Sequence, residues 1–316
     1  MHALFETTIE RQADGALAGP WRSPQNMLSA QSYDGHRSIH DDDTASKLGF
    51  QGGTVEGPTH FSQLAPLGVA IWGEGFLAWG CISAHYRTPC YDGEETQAFA
   101  HPTDDGRSAH IQIVKRDGSE VLRGTMSVGP AHAATALDQR LAELQPLEQR
   151  RILADIVIGA TTPRRRVTMG FDQNMGALYP FSLKDKLGRI TEPSPAYDPA
   201  TALDTPWGRA ILPFEMVSVL GQYTVADEPI PVRNPVVGLF ADQEIRLIDG
   251  PLLVGEPYEL ERTFIAISGS RRTESLWIRT SVFRAGSDHV VATLLLNQAY
   301  LKASSPSYPE HQEAVS

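Results

Sequence analysis

The sequence predicts an α+β fold built from two similar units, each a curved antiparallel sheet wrapped around one central helix. Together they form a dimer-like pair within a single chain. Three observations carry this: two apolar, proline-started helix segments, a run of alternating strand segments after each, and small matches of spacing between the two runs. The chain has 316 residues, too many for one small core and enough for two domains.

The first unit opens with a polar loop over residues 34–53, followed by "EGPTHFSQLAPLGVAIW". Phe61, Leu64, Leu67, Val69 and Ala70 suit a largely buried helix started at Gly57-Pro58, since proline is tolerated in a first turn. Pro66 is expected to kink or end it. "CISAHYRTP", "ETQAFAH", "SAHIQIVKRDG" and "VLRGTMSVG" alternate and read as strands, with Asp117-Gly118 as a hairpin turn.

The second unit repeats the order. "GRAILPFEMVSVLGQY" is again a proline-started helix, and "DQEIRLIDGP", "YELERTFIAIS", "SLWIRTSVFRAGS" and "VVATLLLNQAYLK" are strands. Pro89 and Gly93-Glu94 recur as Pro251 and Gly255-Glu256 with the same gap, and Arg116 and Gly118 recur as Arg284 and Gly286. A helix wrapped by a sheet is buried on nearly all sides, which explains why both helix segments carry few charges. Duplication then lets two units stand in for the symmetric dimer that one would form.

Domain limits follow: 1–135 for the first unit, 136–160 for a connecting helix rich in Ala, Leu, Glu, Gln and Arg and interrupted near Pro146, 161–303 for the second unit, and 304–316 for a loose tail.

Composition bounds the function. Hydrophobic residues make up 41% and charged residues 21%, values typical of a folded soluble protein. A net charge of -11 argues against a nucleic-acid or anionic-membrane surface. Cys81 and Cys90 match no metal spacing and make no secreted disulfide framework. No basic-then-apolar leader opens the chain and no apolar run is long enough to span a bilayer, so a cytoplasmic location is expected. No phosphate-binding P-loop, dinucleotide glycine motif or nucleophile elbow occurs.

One stretch carries a family likeness. "SIHDD…A…LGFQGGTVEG" resembles the hydratase signature of the MaoC-like, (R)-specific enoyl-CoA hydratases. Ile39, His40 and Asp42 match its Ile-His-x-Asp part, Gly49-Phe50 and Gly52-Gly53 its Gly-Phe part, and Gly57 its helix-start glycine. "AHYRTPCYDGE" resembles the family's strand and turn further on. The likeness covers roughly residues 34–128, and beyond them it rests on pattern alone. It implies a double hotdog fold and an acyl-thioester site that needs neither metal nor redox cofactor. It also departs from the family: Gly35 stands at the catalytic aspartate position, Arg37 at the asparagine, and Glu56 where a histidine commonly precedes the helix glycine. Asp34 is displaced by one.

Hydrating an enoyl thioester needs a base for water, an acid for the α-carbon and a donor for the charge on the thioester oxygen. His40 is the first choice for proton transfer, with Asp34 and Asp42 as candidates to orient it. Gly57 offers an unobstructed N–H at a helix start, and Gly52-Gly53 lets the chain approach closely. Asp41 and Asp43 read as caps of the helical turn after them. His60 and Glu215 lie at equivalent positions, each two residues after its helix-opening proline. Each either caps its own helix or serves as a further acid–base group, as buried ionisable groups require a partner or a task. Glu56 suits the alternative of a hotdog thioesterase.

Arg164–Arg166 and the pair Arg271 and Arg272 are the basic clusters that could meet the phosphates of CoA or a carrier protein. The expected partner is thus an acyl-CoA or acyl-carrier substrate, and a homodimer is compatible with the reading. A non-catalytic acyl-CoA-binding subunit is the rival from another class.

Overall fold

The structure, a computed structural model, describes residues 3–147, 149–228 and 230–309. Short strands β1 (Glu10–Arg11) and β2 (Leu17–Ala18) precede a hairpin of β3 (Ser32–Tyr33) and β4 (His36–Arg37), then helix α1 (Asp42–Lys47). The first unit continues with a 3-10 turn at Gly57–His60, helix α2 (Phe61–Trp72), α3 (Phe76–Trp79), β5 (Gly80–Tyr86), β6 (Thr96–Pro102), β7 (Ser108–Lys115) and β8 (Glu120–Val128). After α4 (Ala136–Ala142) come β9 (Arg165–Thr168), α5 (Leu183–Leu187) and α6 (Phe214–Gln222). β10 (Gly238–Leu247), β11 (Pro257–Gly269), β12 (Thr273–Arg284) and β13 (Val290–Leu301) complete the second unit.

Eleven strands form one antiparallel sheet in the order β1-β2-β6-β7-β8-β5-β10-β13-β12-β11-β9. Each unit sets its own first strand at the middle, followed outward by its fourth, third and second. The halves are therefore related as two subunits of a dimer would be, and they join through β5 and β10, where Asp242 pairs with His85 and Arg246 with Cys81. This is the double hotdog. Each central helix is enclosed: residues Phe61 to Gly68 of α2 are all buried, as is every residue of α6. The two helices also touch each other, with Phe76 and Phe214 rings 5.4 Å apart beside them.

The structure corrects three expectations. Pro66 does not end α2, which runs on to Trp72. The lost backbone bond is outweighed because the helix is packed on every side, and packing rather than propensity holds a buried helix. The connecting helix does not span 136–160. α4 covers Ala136–Ala142, begun by a capping box of Thr135 and Asp138, and the described chain beyond it is irregular. There Ile152, Leu153 and Ile156 enter a core cluster, while the amides of Arg151, Ile152 and Leu153 donate to the buried carboxylate of Glu274 at 2.7, 3.1 and 2.9 Å. That anchor satisfies the backbone without a helix.

The expected loose tail is ordered at its start. Ser305 and Tyr308 are buried, and the Tyr308 hydroxyl donates to Glu274 at 2.5 Å; residues 310–316 lie outside the described residues. The Arg164–Arg166 cluster lies at the start of the edge strand β9. Arg164 pairs with Asp288 at 2.8 Å and lies over the Phe283 ring, and Arg165 pairs with Glu228 at 2.6 Å. Among the described residues no helix is long and apolar enough to cross a membrane.

Candidate active site

A cavity of about 800 Å³ opens where the 34–53 loop, the start of α2 and the segment before α5 meet. Its wall includes His40, Glu56, Gly57, His60, Tyr86 and Tyr179.

His40 is held by its neighbours on the loop. Its Nδ1 lies 2.6 Å from the Thr54 carbonyl oxygen. A carbonyl only accepts, so Nδ1 carries the proton and Nε2 is left with its lone pair. The loop closes tightly: the His40 carbonyl accepts from Asn26 Nδ2 at 2.8 Å, and a Cβ on Gly53 would sit 2.2 Å from the same oxygen. Glycine at 53 is therefore required for the approach. Burial lowers the imidazole pKa to about 4, opposed by the Thr54 bond and reinforced by the nearby Lys186 charge. His40 is neutral at physiological pH.

Glu56 occupies the position before the helix turn, yet its side chain makes no capping bond. It is buried, Oε1 has no hydrogen-bond partner, and the Tyr179 hydroxyl bonds the carboxyl. Burial raises its pKa to about 6, while Lys186 and the Tyr179 bond pull it down.

His60 and Glu215 are each 1% exposed. Neither caps its helix: His60 Nδ1 and both Glu215 carboxyl oxygens lack partners of good geometry. Burial, with Lys186 and Lys115, lowers His60 to about 3. Burial raises Glu215 to about 8, with Lys186 and the Ser62 amide at the start of α2 opposing and Glu56 adding to the rise. Glu215 is thus a neutral acid at pH 7.

Packing also requires the missing side chain of Gly57. A Cβ there would lie 2.6–2.9 Å from three atoms of the Tyr86 ring. Tyr86 stacks at 6.4 Å on Phe61, and its hydroxyl donates to Gln243 Oε1 at 3.2 Å, whose Nε2 donates in turn to Ser218 of α6 at 2.7 Å. Glycine 57 lets this clamp between the halves form.

Other candidates fall outside this group. Asp34 has φ 50 and sits exposed with Gly35 at the turn of the β3–β4 hairpin, on the cavity rim; no described hydrogen bond links it to His40. Asp34 and His40 thus line one cavity with no described bond between them. Asp42 instead accepts from the Gly53 amide at 2.7 Å, and Asp41 caps α1 by accepting from Thr44. Arg271 is exposed in the β11–β12 turn. Arg272 borders a second cavity of about 570 Å³ that shares Phe50, Tyr86, Arg87, Thr88 and Leu239 with the first. Cys81 and Cys90 are buried free thiols, and burial pushes Cys90 up to about 12.

The reading of the sequence missed Lys186. This α5 lysine is 2% exposed, its Nζ donates to Thr59 Oγ1 at 2.7 Å, and its charge acts on His40, Glu56, His60 and Glu215. The available signal was its place three residues after buried Leu183, on the inner face of a short helix.

No family model and no curated protein matches the chain by sequence. Solved structures do match in shape. A putative MaoC domain protein dehydratase from Chloroflexus aurantiacus aligns over 95% of both chains with a TM-score of 0.56 and 13% identity. A conserved hypothetical protein from Mycobacterium tuberculosis, described as a double hotdog fold, aligns over 95% of this chain and 97% of its own, with a TM-score of 0.54 and 13% identity. The chain shares its double hotdog fold with these structures.

Proposed function

We propose that the protein adds water to, or removes it from, the 2,3-position of an enoyl or 3-hydroxyacyl thioester. The observation that carries this reading is a neutral His40 with its Nε2 free, lining the same cavity as Glu56, whose Oε1 has no hydrogen-bond partner, and the start of α2.

In the hydration direction the thioester carbonyl lies at the helix start, where the Gly57 N–H and the positive end of the helix favour the charge that gathers on oxygen. Water sits against Glu56 and His40. Glu56 is the better base, because a carboxyl titrating at about 6 matches a neutral working pH more closely than an imidazole at about 4. As the water oxygen bonds to C3, Glu56 takes its proton and His40 Nε2 accepts a hydrogen bond from the other O–H. The C2–C3 π electrons move onto the thioester enolate. Protonated Glu56 then returns a proton to C2, and the site ends as it began.

Arg272 and Arg87, beside the adjoining cavity, are suited to the phosphates of a CoA or carrier arm, because guanidinium groups pair with phosphate oxygens. A buried carboxyl with one free oxygen, as in Glu56, is also the group that a thioesterase would use, so hydrolysis is the second reading.

Incubation with crotonyl-CoA and with a branched or aromatic enoyl-CoA separates these readings. Loss of the enoyl absorbance without free thiol supports hydration, and thiol release supports the thioesterase. Bound ligand with neither change supports a non-catalytic binding subunit.

A further inference from the structure

The halves bury two carboxyls, Glu56 from the first and Glu215 from the second, and the charge of the buried Lys186 acts on both. That cation arrives from a third place, α5, in the segment between β9 and α6. The Lys186 ammonium makes one described hydrogen bond, to Thr59 Oγ1, and packs 5.6 Å from the Phe181 ring centroid. Thr59 belongs to the same 3-10 turn that Glu56 leads into. A buried ammonium with so few direct contacts is costly unless surrounding charge offsets it. The buried acid Glu192 has a counter-ion of its own, Arg22, at 2.5 Å.

We propose that Lys186 is a positioning residue for the site, pinning the turn through Thr59 and supplying the one positive charge that lets Glu56, rather than both carboxyls, be ionised. The inference rests on the role given to Glu56 above. One cation supports one carboxylate in a water-poor space, so Glu215 stays protonated while Glu56 is charged. The groups facing Glu56 are Tyr86 from β5, Tyr179 from the segment before α5, Glu215 from α6 and Lys186 itself. His40 and His60 face Lys186, and Lys115 of β7, which also faces His60, is already paired with Glu94 at 2.7 Å. Both imidazoles are neutral, so neither replaces the lysine charge.

The test is the Glu56 titration, read by NMR on protein carrying carboxyl-labelled glutamate, with Glu56→Gln assigning the signal. It is followed in wild type, in Lys186→Met and in Thr59→Val, alongside the pH profile of kcat/KM for enoyl-CoA hydration. Removing an opposite charge should raise the Glu56 midpoint by at least about one pH unit in Lys186→Met, with the acid limb of activity moving equally. Thr59→Val, which leaves the charge but frees it, should shift it in the same direction by less. An unmoved Glu56 midpoint in Lys186→Met, or in Thr59→Val should the first not fold, overturns the inference. A wild type with no hydration and a normal midpoint shift overturns the reaction instead.

Discussion

His40 Nδ1 sits 2.6 Å from the backbone carbonyl of Thr54, fourteen residues away across the loop, and this contact decides which face of the ring meets the cavity. Nε2 can only accept there. His40→Ala should therefore lower kcat for hydration by roughly 10²-fold with KM little changed, the loss typical of a removed catalytic hydrogen-bonding or proton-transfer group. Steady-state kinetics check this, and full turnover in His40→Ala would remove His40 from the site.

The pH profile should have an acid limb near pH 6. Glu56 must be ionised to act as base, and its pKa is raised by burial to about 6, so kcat/KM falls as pH drops through that value. His40, at about 4, stays neutral across the same range and adds no limb of its own above it. A profile flat down to about pH 5 would contradict the role of Glu56.

Glu215 makes a separate prediction about stability. Its folded pKa, about 8, lies above the ordinary carboxyl value because of burial. The folded state holds this proton where the unfolded chain has lost it. Its stabilising contribution is therefore complete below the unfolded pKa and is lost as pH rises toward 8. Glu215→Gln removes that dependence. Its Tm should equal or trail wild type near pH 5 and exceed it by a few degrees near pH 8, measured by thermal unfolding. Parallel Tm curves would show that Glu215 is not held as the neutral acid.

Much of the architecture was legible from the residues. The four strand segments of each half were readable by alternation because each strand faces a helix on one side and its spacing survives in the pattern. The proline-started helices were readable because an enclosed helix cannot hide its apolar content. The connector and tail were not. Glu274 collects three backbone amides and Tyr308 from distant positions, and nothing local in "RRILAD" or "SPSYP" announces that. The site divided in the same way. His40, Glu56, Gly57 and His60 lie within one stretch and were found together, whereas Lys186 and Tyr179 come from about 120 residues further along and meet them only through the fold.

Gly57→Ala should destabilise the fold by about 1–3 kcal/mol, because its Cβ would overlap the Tyr86 ring at 2.6 Å. Chemical denaturation measures this. Adding Tyr86→Leu to Gly57→Ala should recover part of the loss, and an unchanged double variant would mean that the ring is not the obstacle.

The most direct test compares wild type with Glu56→Gln on an enoyl-CoA at neutral pH, following the enoyl absorbance and free thiol together. The account predicts hydration without thiol release in wild type and a rate lower by about 10²-fold or more in Glu56→Gln. Thiol release in place of hydration, or a Glu56→Gln protein that hydrates as fast as wild type, would contradict it.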